Sequence, residues 1–130
     1  MSSPTLAQLR PDMLDDLEFL FKVCECPFDP AQPFNPDTSL VAFYEGQLVG
    51  FLTSWIDEQP YAWIDCFLVH PDFRGKASIA LLLGSAMREL VLKRGSNAIR
   101  AVSSNPRLTA VLEYYGFTRR SDAVLLEWKQ

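Results

Sequence analysis

Histidine is nearly absent from this chain: His70 is the only one in 130 residues. Cysteine is sparse and odd in number, at Cys24, Cys26 and Cys66. Cys24-x-Cys26 is half of a metal-binding pair, but no second pair follows and a single imidazole cannot complete the set, so no metal centre is expected. Three cysteines at uneven spacing make no disulfide framework either, and packed thiols in a reducing compartment are the expectation. Long apolar runs are missing: nothing approaches the roughly 20 uncharged apolar residues needed to cross a bilayer. The first residues show no basic-then-apolar leader pattern, which predicts a cytoplasmic protein with no membrane contact. Positive charge is in deficit, with 12 Lys and Arg against 16 Asp and Glu and a net charge of −4. Nucleic-acid affinity rests on neutralising many phosphates, so a general nucleic-acid binder is excluded and any anion must be met locally. Internal repeats and low-complexity blocks are absent.

What is present is a chain of 48% hydrophobic residues, enough for one real core and too short for two, hence a single domain over 1–130. Thr5 to Leu9 reads as a short strand. A helix follows from about Pro11, with Asp12, Asp15 and Asp16 in its opening turns and Leu14, Leu17, Phe21 and Phe19 offered as its buried face. Prolines at 27, 30, 33 and 36 recur every third residue and favour an extended loop. Ser39 to Tyr44 and Leu48 to Trp55 flank Glu45-Gly46-Gln47, a tight hairpin signal, and Tyr61 to Val69 adds a third strand to an antiparallel meander.

A long helix comes next, with Ile79, Leu82, Leu83, Ala86, Met87, Leu90 and Val91 at helical spacing and Lys93, Arg94 and Gly95 as its stop. Ala98 to Ser103 reads as a strand, Pro106 to Tyr115 as a helix with Asn105 as N-cap, and Phe117 to Trp128 as a last pair of strands. The order is β-α-β-β-β-α-β-α-β-β, an α/β (α+β) domain with a mixed sheet.

The junction of the third meander strand with the long helix carries the chemistry. Leu68-Val69-His70-Pro71-Asp72-Phe73-Arg74-Gly75-Lys76-Ala77-Ser78 joins an apolar strand to a helix through a short, small-residue, basic turn. Backbone N–H groups at a helix start are unpaired and lie at the positive end of the helix dipole, so a phosphate can dock there. Arg74 and Lys76 add charge at the same place. Asp65 interrupts the apolar strand, where Asp is disfavoured; it must face a wet cleft or hold a buried partner, either as general base or as a structural hydrogen-bonder. His70 is a second candidate base, because its intrinsic pKa suits proton transfer near neutrality.

With Val69-His70-Pro71 and Arg74-Gly75-Lys76 after the third meander strand, and Asn105 eleven residues before Gly116-Phe117, the chain resembles the GNAT superfamily of acetyl-CoA-dependent N-acetyltransferases. The resemblance implies that Arg74, Gly75, Lys76, Ala77, Ser78 and Ile79 bind the coenzyme A pyrophosphate through backbone amides, and that Asn105 lies beside the pantetheine arm. It implies that Phe67, Leu68 and Val69 splay from the neighbouring strand and pair with that arm, one N–H meeting the developing oxyanion. Partners are then acetyl-CoA and an amine acceptor, and a homodimer is left open.

Two departures from the family pattern stand out. Glycine is usual where Ala77 and Ile79 stand. Where many members carry a tyrosine acid, four residues before the Gly-Phe pair, this chain has Leu112; Tyr115 is the nearest substitute on the same helical face. A catalytically weak acyl-CoA-binding module is therefore the alternative function. Glu25, Asp29, Asp37, Asp57 and Glu58 are offered as an acidic mouth suited to a cationic acceptor.

Overall fold

Nearly continuous apolar runs, buried on both faces, and one tight turn set the centre of the sheet. In a computed structural model, which describes residues 3–29, 34–75, 78–102, 106–114, 116–119 and 125–129, strands β2 (Ser39–Tyr44) and β3 (Gln47–Ile56) meet at Glu45 and Gly46. Both turn residues have positive φ, 50° and 82°, the twist that a two-residue hairpin requires. β1 (Thr5–Gln8) pairs antiparallel with β2, and β4 (Tyr61–Val69) pairs antiparallel with β3. β5 (Ala98–Val102) joins β4 in parallel, and β7 (Leu125–Lys129) joins β5 antiparallel, with β6 (Thr118–Arg119) at the far edge. The resulting order is β1-β2-β3-β4-β5-β7-β6, the mixed sheet that the element order predicts.

Helices cover both faces. α1 (Leu14–Val23), entered through a turn of 3-10 helix at Pro11–Met13, buries Leu17, Leu20 and Phe21 with Met13 against Val41, Leu48 and Phe51. Two residues expected on that face lie outside it: Phe19 is 54% exposed and Leu14 42%. Phe19 stands roughly 200° round from Leu17, on the opposite side of the helix; Leu14 falls at the stripe's edge, its place taken by Met13.

α2 (Ile79–Lys93) lies on the other face and buries Ile79, Leu83, Met87 and Val91 at four-residue steps. That stripe leaves Leu82 37% exposed, against expectation. Gly50 of β3 lets the helix approach: a Cβ there would lie 2.8 Å from Leu83 Cδ1 and 2.9 Å from Ile79 Cγ2.

α3 (Pro106–Tyr114) packs through Leu112 on Ala101 and Leu126. Asn105, its expected cap, lies outside the described residues. Residues 30–33 of the proline-spaced loop do too, but Pro36–Thr38 forms a turn of 3-10 helix instead of extended chain. Its Asp37 N–H donates to the Asn35 side chain at 2.9 Å, a short cap with Pro at the first position.

Each helix closes by the same device. Gly95 (φ 92°) and Gly116 (φ 94°) end α2 and α3 in the left-handed conformation, with Ser96 N–H donating to Val91 O and Phe117 N–H to Leu112 O. α1 uses Glu25 at φ 56° in that role, Cys26 N–H donating to Phe21 O. An L-residue there costs about 1–2 kcal/mol that glycine avoids. Glu25→Gly is therefore expected to stabilise the fold by about 1 kcal/mol, read as a higher urea midpoint at unchanged m; an unmoved midpoint would show that the strain is absorbed elsewhere.

Candidate active site

β4 has two partners over its first half and one over its second. Tyr61 to Ile64 pair with β5 at Ala98 to Ala101, whereas pairing with β3 continues to Val69. The two strands part at Asp65 and open a V in the middle of the sheet. At the same point the β3 register slips, Thr53 opposing Cys66 and Ser54 opposing Ile64, so Asp65 is the extra residue of a β-bulge. Beyond it, His70 N–H donates to Val49 O across the β3 edge at 2.8 Å, so alternation turns the backbone groups of Val69 and Phe67 to the open edge.

The end of that edge is crowded with chemistry. Val69 carbonyl accepts from Arg74 Nε–H at 3.0 Å and from the Cys24 thiol at 3.5 Å, and Arg74 Nη2 lies 3.9 Å from Cys24 Sγ. The guanidinium is thereby held over the mouth of the V. Gly75 follows with φ 77° and Ser78 with φ 54°; Lys76 and Ala77 lie outside the described residues. Ser78 is the N-cap of α2, yet its side chain makes no capping hydrogen bond. The first intrahelical bond runs from Leu82 N–H to Ser78 O, so the amides of Ile79, Ala80 and Leu81 carry the usual unpaired donors of a helix start. Ile79's side chain points the other way, 1% exposed against the sheet. Its bulk is accommodated by Gly50 and does not fill the turn. Backbone donors, a left-handed residue and an adjacent guanidinium fit a pyrophosphate, and an open strand edge fits the amide-bearing arm of coenzyme A.

The side-chain candidates separate on burial. Asp65 is exposed at the bulge, on the wet side of its two sequence readings. His70 is 8% exposed; its Nδ1 accepts from Asp72 N–H at 3.1 Å and its ring meets Phe73 edge-on, which gives it a capping job. Tyr115 lies outside the described residues. Leu112 is 3% exposed among Ala101, Leu126, Ile64 and Phe117, an apolar site with no proton to give.

Of the acidic residues offered as a mouth, Glu25 alone among those whose position the contacts fix sits beside the end of β4, next to Cys24. Asp57 and Glu58 belong to the β3–β4 turn, roughly 25 Å along the strand from Val69. The Trp63 indole N–H and then the Tyr61 backbone N–H donate to Asp57 and hold its carboxyl below the usual range. Asp37 faces Arg94 at 3.7 Å beside the C-terminus of α2. These carboxylates are structural corrections to the expected mouth.

All three cysteines converge here, which sequence spacing did not signal. Burial pushes the Cys66 thiol up to about 12, with Cys26, Asp65 and Cys24 adding in the same direction; burial also raises Cys24, against the pull of Arg74. A thiol held neutral when folded but ionised when unfolded contributes stability that is full below the ordinary thiol range and lost as pH climbs toward 12. Between pH 8 and pH 10.5 the wild type is expected to lose up to about 2 kcal/mol more than Cys66→Ala. Denaturant midpoints of the two proteins at both pH values check this; parallel losses would place the effect in other groups.

The chain matches the model of the acetyltransferase (GNAT) family over residues 8–117. It belongs to that family. As a GNAT protein it is an acyltransferase, and its fold agrees with solved structures of the group. The PaiA N-acetyltransferase of Thermoplasma acidophilum, solved with coenzyme A, superposes at TM-score 0.79 and 16% identity, over 98% of this chain and 99% of that one. Naa50 of Arabidopsis thaliana, bound to a bisubstrate analogue of coenzyme A and a peptide, gives 0.76 and 16%, over 98% and 99%. The GNAT domain of a Streptomyces lividans acetyltransferase gives 0.79 and 16%, over 99% and 97%. No curated protein matches the chain in sequence. Among the described residues no helix is long and apolar enough to cross a membrane.

Two features of the site were within reach of the sequence but unread. Gly50, inside an apolar strand, marks a close backbone approach, and it is the complement of Ile79. Arg100, whose guanidinium lies 3.7 Å over the Tyr61 ring and whose Nε donates to Glu127 at 2.7 Å, ties β4, β5 and β7 together just below the V. Its signal is weak, a lone charge in a strand.

Proposed function

We propose that the protein moves an acetyl group from acetyl-CoA directly to an amine acceptor within the V between β4 and β5. The observation that carries this is the coincidence of an open β4 edge from Asp65 to Val69 with an uncapped α2 start at its end. Phe67 and Val69 offer edge amides to the pantetheine arm, with Leu68 between them holding β3. Arg74, Gly75, Ser78 and Ile79 meet the pyrophosphate with backbone N–H groups and one guanidinium; Lys76, Ala77 and Asn105 hold their places in this reading from the sequence alone.

Acetyl-CoA supplies an activated thioester, and the chain supplies the rest. Open-edge amides at the bulge orient the carbonyl and stabilise charge on its oxygen. Asp65, directly or through a held water, takes the proton that the amine must lose. In the net reaction the acceptor's N–H becomes N–acyl, the thioester C–S bond breaks, and the proton ends on the departing sulfur. A thiol leaves tolerably near neutral pH, so Leu112 in the acid's place slows departure without forbidding it.

The second reading, a GNAT module that binds acyl-CoA and transfers nothing, is favoured by the buried, apolar setting of Leu112. One assay separates them: incubation with acetyl-CoA and a panel of amines, following thiol release above hydrolysis. Amine-dependent release supports transfer, and coenzyme A binding without it leaves the module. Lysine side chains, amino-termini and polyamines belong in the panel; sedimentation of the purified chain tests for a homodimer.

A further inference from the structure

On the α2 side of the V lies a cavity of about 130 Å³. Its floor is Ile64 and Phe67 of β4 with Ile99 of β5, residues that flank the point where the two strands part. Met87 of α2, Leu112 of α3, Phe117 and Trp128 add to the wall, and Ser85 and Arg88 of α2 are its polar members. Leu112 stands where the family resemblance puts a tyrosine hydroxyl. A buried hydroxyl would need a partner; Leu112 instead closes an apolar surface.

The rim bears a second mark. Gly84 lies in the interior of α2, where glycine costs about 0.5–1 kcal/mol relative to alanine. A Cβ added there would meet nothing within 4 Å, so no packing demands the glycine. It lines the cavity, and its missing side chain leaves that part of the rim open.

We propose that this cavity is an acyl pocket, so that the enzyme accepts acyl-CoA donors with chains longer than acetyl, of about four to six carbons. An apolar cavity of about 150 Å³ lined by Leu, Ile and Phe stays dry and takes benzene, which sets the carbon count. The pocket opens where the thioester lies if transfer takes place in the V, and the inference rests on that reading. The chemistry is unchanged: C–N forms, C–S breaks, and the proton passes from amine to departing sulfur whatever the chain length.

Calorimetric titration of the full chain with coenzyme A and with acetyl-, butyryl-, hexanoyl- and decanoyl-CoA tests it. Affinity is expected to rise about fourfold per added methylene from acetyl to butyryl, to level near hexanoyl, and to fall for decanoyl. Leu112→Phe fills the pocket and is expected to lower the hexanoyl-to-acetyl affinity ratio at least tenfold. Gly84→Leu narrows the opening from an unstrained helix position and serves as the second variant, with the same expected direction, should the first fold poorly. Tight coenzyme A binding with an acyl series that is flat, or highest at acetyl, overturns the pocket and leaves the site reading intact. Ratios unmoved in both variants overturn it equally. No binding of coenzyme A at all overturns both.

Discussion

Gly50→Val is expected to lower the unfolding free energy by about 3 kcal/mol and to cost the folded remainder most of its coenzyme A affinity. The first half follows from space. A Cβ at position 50 already falls inside contact distance of Leu83 Cδ1 and Ile79 Cγ2, and valine adds two methyl groups beyond it. Leu83 has a rotamer to yield, but Ile79 is β-branched and stiff at χ1, so the backbone of the first α2 turn must lift. The second half follows from what that turn carries. Its amides form the anion site of the function proposed above, and oriented donors lose their worth quickly when displaced. Urea denaturation reads the first effect and titration with coenzyme A the second. Gly50→Ala should show both in weaker form. A valine variant with an unmoved midpoint would mean that α2 does not rest on β3 as described, and one that is destabilised yet binds normally would detach the anion site from the helix start.

The same contact shows where sequence reading reaches and where it stops. Tyr61–Val69 is legible to the residue, because an apolar run bounded by the Asp57–Pro60 turn and by His70-Pro71 has strand length and clear stops. α2 is legible by its period and by Lys93-Arg94-Gly95 at its end. The opening of the V is not: Ile64, Phe67 and Val69 are equally apolar whether a neighbouring strand is present or absent, so edge exposure leaves no local trace. Asp65 alone marks the place, as an exposed charge within an apolar run. Ile79 is the reverse case. It departs from the family pattern by standing where glycine is usual, and its bulk has a place only because Gly50, 29 residues earlier, lies beneath it. Small-for-large exchanges between distant positions are a property of packing and cannot be read from either position singly. The three thiols meet for the same tertiary reason: the left-handed Glu25 turns Cys24 and Cys26 onto Cys66, next to the bulge.

Asp65→Asn is expected to reduce kcat/KM for an amine acceptor by about a hundredfold or more at neutral pH, with coenzyme A binding and stability close to wild type. The substitution keeps the size and hydrogen-bonding shape of an exposed side chain on a bulge, so neither packing nor the open edge should change. What it removes is the group proposed to accept the amine's proton. A protonated amine has no lone pair with which to attack, whereas the thiolate leaves with little help, so the base carries the larger share of the barrier. The pH profile separates this role from a structural one: as pH rises toward the acceptor's own pKa, more amine arrives already deprotonated and the loss in Asp65→Asn should shrink. Tyr115→Phe is expected to cost less at every pH, because Leu112 already leaves the sulfur without its usual acid. Steady-state kinetics on both folded variants from pH 6 to 9 decide the matter. A hundredfold loss in Tyr115→Phe alone, or a loss in Asp65→Asn that stays constant with pH, would take the proton transfer away from Asp65.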